Sequence, residues 1–262
     1  AAEPIASEKI RVGYFSADFR EHAMMHLMAD MFSMHDKGRF EIVAFSLHYP
    51  TDDPWRRRIV DSVDRFVDAW DKSDQEIAAL ARSLGIDIAV DLMGFTTGSK
   101  FGIYAAKAAP VQVSYLGYPG TTGASCMDYL MADKTLIPEQ SRQFYSEQIV
   151  YLPHCYQINC RYRSAPDAPN SRSDYRLPES GFVFCSFNSN YKINHPTFEI
   201  WMRILLRTPG SVLWLLVHGE SSKQNLRNVA ECLGVDGDRL VFADFISHAD
   251  HMRRLGRADL FL

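Results

Sequence analysis

Nowhere in the 262 residues do apolar side chains run on for the roughly 18 positions a membrane span needs, so no membrane partner is expected. The opening "AAEPIASEKIR" lacks a basic stretch followed by an apolar core, so it does not read as a secretory signal. Cysteine is scarce and odd in number: Cys126, Cys155, Cys160, Cys185 and Cys232. The one close pair, Cys155 and Cys160, has no second pair to complete a zinc site. Reduced thiols and a cytoplasmic location are therefore expected. Basic residues are in slight deficit, 28 Lys and Arg against 32 Asp and Glu, a net charge of −4. That balance excludes general affinity for nucleic-acid backbones but leaves room for a local basic pocket.

Two nucleotide signatures are also missing. There is no G-x-G-x-x-G, which disfavours a dinucleotide-dependent oxidoreductase, and no Gly-Lys-Ser/Thr of a P-loop. The D-x-D of metal-dependent sugar transferases occurs only as Asp236–Asp238 in "GVDGDRL", which reads as a turn before a strand. No internal repeat or low-complexity stretch is present.

What the chain does have is a hydrophobic period that keeps switching between strand and helix. Strands are expected in "IRVGYFS", "FEIVAFSL", "RFVDAW", "IDIAVDLMG", "VQVSYLG", "DYLMAD" and "SEQIVYLP". Helices are expected from about His22 to His35, in "WRRRIVDSV", in "SDQEIAALARSLG" and in "SKFGIYAAKAAP". The third of these carries its own punctuation: Ser73 as N-cap, Glu76 three residues on, and Gly85 at the stop. Met24, Met25 and Met28 in the first helix are read as core.

Residues 155–180 turn polar, aperiodic and proline-containing, and read as an interdomain linker between a first lobe, 1–154, and a second, 181–262. The second lobe restarts the rhythm with "GFVFCSFN", "HPTFEIWMRILLRTP", "SVLWLLVHG", "SKQNLRNVAECLG", "RLVFADF", "HADHMRRLGR" and "ADLFL". Strands alternating with helices predict parallel sheets, hence an α/β fold of two Rossmann-like lobes facing a cleft. Ending on a strand, the second lobe is expected to be incomplete.

Ligands of such sheets bind beyond the carboxyl ends of the strands, so the residues there are the candidates. His22 and His26, four apart, share a helix face, but Ala23 stands where the H-E-x-x-H pattern of zinc peptidases needs glutamate. His22 is then either a structural ring or, at the helix N-terminus, a neutral imidazole able to serve as general base. The stretch "SYLGYPGTTGA" frees backbone N–H groups at Gly117, Gly120 and Gly123 and adds the hydroxyls of Thr121 and Thr122. A structural corner and a ligand-contacting loop both fit that composition. In "FNSNYKINHP", Lys192 lies between a strand end and a helix that starts near Pro196, where an ammonium can meet a phosphate. His248, His251, Arg253 and Arg254 follow a later strand, and read either as a solvated basic helix face or as a grip on a base or ribose.

The motifs "LGYPGTTGASCMDYLMAD", "YSEQIVYLPH", "CSFNSNYKI", "SVLWLLVHG" and "HMRRLGRADLFL" together resemble the nucleocytoplasmic O-GlcNAc transferases, in particular the bacterial, xanthomonad type. The resemblance runs from about Lys9 to Leu262. It implies a GT-B glycosyltransferase without a metal cofactor. Such an enzyme moves N-acetylglucosamine from the UDP-GlcNAc donor to serine or threonine hydroxyls of a protein or peptide acceptor, with inversion. By that resemblance His22 matches the histidine proposed as general base, and Lys192 the lysine that stabilises the UDP leaving group. Leu116, Gly117 and Pro119 match the loop near the sugar and diphosphate, with Thr121 beside them. Asn188 and Ser189 lie in the turn before Lys192, and Ser189 stands where animal members carry glutamine. His251 and Arg254 match a pair near the uracil, and Phe245, Ile246 and His248 the adjoining base and ribose loop. A helical TPR region is implied upstream in the full-length protein, and further donor contacts after Leu262. Use of UDP-glucose, or UDP binding without transfer, are the rival readings.

Overall fold

The structure is a computed structural model that describes residues 8–160 and 171–262. The chain divides into two units, Ala1–Arg163 and Ser164–Leu262.

The first unit is built on a seven-stranded sheet. Its strands are β1 (Ile10–Ser16), β2 (Phe40–Ser46), β3 (Arg65–Asp68), β4 (Ile88–Asp91), β5 (Val111–Ser114), β6 (Tyr129–Ala132) and β7 (Gln148–Tyr151). All neighbouring pairs are parallel, in the order β3-β2-β1-β4-β5-β6-β7. Helices α1 (Ala23–Ser33), α2 (Pro54–Ser62) and α3 (Asp74–Ser83) supply the first crossovers. Because successive strand residues point to opposite faces, Val12, Tyr14, Ile42 and Ala44 pack under α1 and α2 with Met25, Met28 and Phe32. Phe15, Val43 and Phe45 pack on the other face with Ile77 and Ala81 of α3. Burial on both sides is why these strands read as nearly unbroken apolar runs. Of the three methionines expected in the core, Met25 and Met28 are fully buried and Met24 is partly buried against them.

Local signals hold where they are strong. Ser73 and Glu76 form the reciprocal capping box of α3, and Gly85 ends it at φ 67°. The helix expected across "SKFGIYAAKAAP" shrinks to one turn, α4 (Gly102–Ala105). Arg82 of α3 donates to the carbonyls of Ala106 and Lys107, and Lys107 turns left-handed at φ 53°, so the chain leaves the helix there. Beyond β5 the helical crossovers stop. β5 returns to β6 through residues 115–128, and β6 to β7 through a 3-10 turn, Glu139–Phe144.

The boundary between the units falls inside the expected linker 155–180, and the linker's described ends pack into the units beside them. Residues 155–160 belong to the first unit: Tyr156 N–H donates to Asp133 at 2.7 Å, and its carbonyl accepts from the Tyr115 hydroxyl. Cys160 is buried against Met25. Residues 171–180 belong to the second, with Leu177 in its core. The middle, 161–170, lies outside the described residues.

The second unit has a four-stranded parallel sheet, order β10-β9-β8-β11, from β8 (Val183–Ser186), β9 (Val212–Leu216), β10 (Leu240–Ala243) and β11 (Leu260–Phe261). Helices α5 (His195–Arg207), α6 (Glu220–Cys232) and α7 (His248–Leu255) join them. Asp236 accepts from the Asp238 N–H in a 3-10 turn, Gly237–Arg239, as the turn reading of D-x-D requires. Arg239, which closes that turn, donates to the carbonyls of Leu205, Thr208 and Ser211 and to the Ser211 hydroxyl. One guanidinium thereby caps the C-terminus of α5. Arg239→Ala is expected to destabilise the second unit by about 2–3 kcal/mol, since several charge-assisted hydrogen bonds to partly buried acceptors are lost together. Urea unfolding followed by Trp201 and Trp214 fluorescence measures it; a loss under about 0.5 kcal/mol, the usual surface value, would contradict the cap.

Candidate functional site

In the first sheet the chain runs outward from β1 through β2 to β3, then returns to place β4 on the other side of β1. The crevice between β1 and β4, at their carboxyl ends, is thus the switch point where open α/β sheets bind ligands. Ser16 ends β1 buried, its hydroxyl accepting from Asp18 N–H and donating to the Met93 sulfur after β4. Asp18 is buried too, and burial raises its pKa against the opposing pull of His22, Arg20 and His48.

His22 is not inside α1 but is its N-cap, with extended backbone (φ −154°, ψ 155°). The shared helix face with His26 therefore does not exist. His26 meets Trp55 edge-on instead, with centroids 4.3 Å apart and ring planes at 67°. The His22 Nδ1 accepts from Met24 N–H at 3.3 Å and lies 3.4 Å from an Asp18 oxygen. One ring nitrogen serves one of these partners at a time. Capping α1 leaves the ring proton on Nε2 and makes His22 a hydrogen-bond donor. Donating from Nδ1 to Asp18 frees Nε2 to take a proton, the arrangement a general base needs. Nearby, His48 Nδ1 donates to the Tyr49 carbonyl at 2.8 Å.

The turns after β4 and β5 interlock beside this crevice. Buried Asp91, its pKa raised by burial, accepts from Met93 and Gly94 N–H. Gly94 sits at φ 56°, and a Cβ there would stand 2.3 Å from the Tyr118 Cβ. A Cβ on Gly117 would stand 1.9 Å from the Leu92 carbonyl oxygen. Between them Leu116, buried at φ 66°, is the centre of a γ-turn closed by Gly117 N–H to the Tyr115 carbonyl at 2.8 Å. A non-glycine residue so placed is strained, a condition concentrated at functional sites. Gly117 thus answers to a close backbone approach within the protein. Pro119 is exposed just after it.

Thr121, a candidate donor contact, is engaged within the protein. Its hydroxyl donates to Glu147 at 2.7 Å and accepts from the Gly123 and Ser146 amides, so its bonding capacity is already filled. Glu147, which sequence reasoning missed, is buried just before β7 and also accepts from the Thr122 amide and hydroxyl. Burial works against its carboxylate, but the bonds from Thr122 and Thr121 outweigh it and hold the pKa below the ordinary value.

In the second sheet the corresponding switch lies between β8 and β11. After β8 come exposed Asn188, whose amide donates to the Ser186 hydroxyl at 3.4 Å, and exposed Ser189, which opens a 3-10 turn, Asn190–Lys192. Asn194 then caps α5, accepting from Thr197 N–H. Lys192 is exposed and, among the described residues, makes no ion pair or side-chain hydrogen bond. An ammonium without a partner, two residues before a helix N-cap, is arranged for an anion.

After β10, exposed Phe245 stacks on His218, centroids 4.3 Å apart, with Ile246 beside it. His218, just past β9, was not singled out from the sequence, although its place after a strand was the available signal. His248 opens α7, capped by Ser247. The solvated basic face is corrected at Arg254, which is 3% exposed. Its guanidinium lies 4.6 Å from the Phe187 ring centroid and donates to the Asp244 carbonyl. Its Nε–H donates to His251 Nδ1 at 3.0 Å, which leaves the proton of a neutral His251 on Nε2. Burial, then the Arg254 and His248 charges, lower the His251 pKa and keep that neutral form. Arg254 thus orients His251 from beneath.

Residues 2–166 and 168–262 match the model of glycosyl transferase family 41. The chain belongs to that family. It is 39% identical over 260 residues to a probable UDP-N-acetylglucosamine–peptide N-acetylglucosaminyltransferase, SEC, of Arabidopsis thaliana, covering 97% of this chain and 27% of that protein. A Caenorhabditis elegans UDP-N-acetylglucosamine–peptide N-acetylglucosaminyltransferase is 24% identical, over 97% of this chain and 32% of its own length. A mutant O-GlcNAc transferase of Thermobaculum terrenum superposes with a TM-score of 0.86 at 30% identity, over 97% of this chain and 48% of that one. A glycosyltransferase of Rickettsia africae, 10% identical with a TM-score of 0.59 over 97% of this chain and 73% of that one, shares the fold alone. The family 41 chain therefore has the GT-B glycosyltransferase fold, and spans about a quarter of the Arabidopsis relative and about half of the bacterial structure.

Proposed function

We propose that this chain is the donor-binding and catalytic part of an inverting transferase that moves N-acetylglucosamine from UDP-GlcNAc to serine or threonine hydroxyls of proteins, without a metal. The observation that carries the reading is Lys192, an exposed cation with no partner among the described residues, at the entry to α5 in a family 41 chain. An ammonium there offsets the charge that develops on the departing diphosphate, the work a metal ion does in other sugar transferases. His251, kept neutral by burial and by the Arg254 charge, offers Nε2–H to a base, and Phe245 and Ile246 offer apolar surface nearby. Leu116, Gly117 and Pro119 meet the sugar end of the donor. Asn188 and Ser189 flank the diphosphate, and His248 the ribose. His22, in its Asp18-facing tautomer, accepts the acceptor proton. Five free cysteines support a cytoplasmic setting. A TPR region in the full-length protein, presenting the acceptor, is part of the same proposal.

Calorimetric titration of UDP, UDP-GlcNAc and UDP-glucose into the full-length protein, in the presence of a chelator, tests it. Micromolar UDP affinity with UDP-GlcNAc bound in preference to UDP-glucose is expected. The reverse preference assigns glucose transfer. Binding without transfer to any peptide marks a UDP-binding module, and no UDP binding discards the donor site.

A further inference from the structure

The segment Tyr145–Glu147 lies between the 3-10 turn and β7, and it grips the glycine-rich loop from across the sequence. The Tyr145 hydroxyl donates to the Pro119 carbonyl at 3.4 Å, and Ser146 N–H donates to Thr121 Oγ1 at 3.2 Å. Glu147 divides its oxygens. Oε2 takes the Thr121 hydroxyl at 2.7 Å, and Oε1 takes the Thr122 amide at 2.7 Å together with the Thr122 hydroxyl. We propose that Glu147 is a positioning residue for the donor: its buried carboxylate fixes Thr121 and Thr122, and through them the strained Leu116–Gly120 turn. The proposal rests on the reading that this turn meets the donor sugar.

The crossover from β5 to β6 has no helix to rigidify it, so its shape depends on side-chain bonds of this kind. The position also demands a carboxylate rather than any polar group. Thr121 Oγ1 already accepts from two amides, so its own proton goes outward, where Glu147 Oε2 at 2.7 Å is a nearer acceptor than Ser146 Oγ at 3.2 Å. At the other oxygen the Thr122 amide can only donate. Every strong partner is a donor, and an amide side chain would set its NH2 group against one of them whichever way it turned.

Glu147→Gln in the full-length protein tests this by two independent readouts. Hydrogen exchange at Thr122 and Gly123 is expected to accelerate. The kcat/KM for UDP-GlcNAc is expected to fall by about 10- to 100-fold, as displacement of a positioning loop does. The affinity for UDP, whose proposed contacts lie in the second unit, is expected to stay within about twofold, under about 0.4 kcal/mol. Should that variant fail to fold, Thr121→Val, which removes the hydroxyl's bonds to Glu147 and to the Gly123 and Ser146 amides and leaves the buried carboxylate in place, is expected to shift both readouts in the same direction. Unchanged exchange overturns the proposal, and so does faster exchange with kcat and KM unaltered, which leaves Glu147 a structural role only. A wild-type protein that binds no UDP-sugar would discard the donor reading and this proposal's donor role with it, while exchange would still report whether Glu147 holds the loop.

Discussion

Lys192→Ala is expected to fold like the wild type and to transfer N-acetylglucosamine about 10²–10³-fold more slowly, the usual effect of removing one preorganised charge-stabilising group. The folding half follows from the side chain being exposed and, among the described residues, unpartnered, so its loss leaves no orphaned group. The catalytic half follows from where the charge appears. Breaking the bond to the sugar leaves a further negative charge on the diphosphate, and a cation beside it stabilises that state more than it stabilises the intact donor. UDP, which carries the full charge, is expected to bind about tenfold more weakly, about 1.4 kcal/mol. Lys192→Arg retains charge but changes its geometry and is expected to fall between the two. Single-turnover rates beside UDP titrations decide it. A variant that matched the wild type in both would remove Lys192 from the site.

The second large effect is on stability. In Gly117→Ala the new Cβ would lie 1.9 Å from the Leu92 carbonyl oxygen, and the obstacle is backbone, which has no rotamer to change. The turns after β4 and β5 would have to separate, breaking the γ-turn at Leu116 and the seat of Tyr118 against Gly94. A loss of about 3 kcal/mol or more is expected, at the upper end of overpacking costs. In a unit of this size that lowers the melting temperature by roughly 6–12 °C. Gly123→Ala is the control: nothing lies within 4 Å of its Cβ, so only the penalty of φ 65° remains, about 1 kcal/mol. Thermal or urea unfolding of the two variants side by side measures both. Equal, small losses would mean that the interlock yields easily.

These two residues also show what a sequence can disclose. Lys192 was legible because a strand end, a lysine and a proline-led helix occur within a few residues, and such local signals survive into the fold. Ser73, Glu76 and Gly85 behaved the same way, as did the turn at Asp236. Gly117 was visible as a glycine but not as a packing requirement, since the oxygen it avoids belongs to Leu92, in the turn after another strand. The Thr121 hydroxyl looked available because Glu147 lies 26 positions away. Arg254 looked solvated because helical periodicity records which residues share a face, not that Phe187 and Trp214 lie beneath it. The early end of α4 depended on Arg82 reaching across from another helix. Each of these departures came from a contact through space, which composition and period do not encode.

The strap of residues 155–160 bears on how this protein can be taken apart. A fragment stopped at His154, where the composition changes, would strip Tyr156 from Tyr115 and Asp133 and uncover the floor on which Cys160 rests beside Met25. That floor is apolar and continuous with the core under α1. Exposed in a truncated product, it would invite self-association, and a soluble first domain would need its last cut placed beyond Cys160.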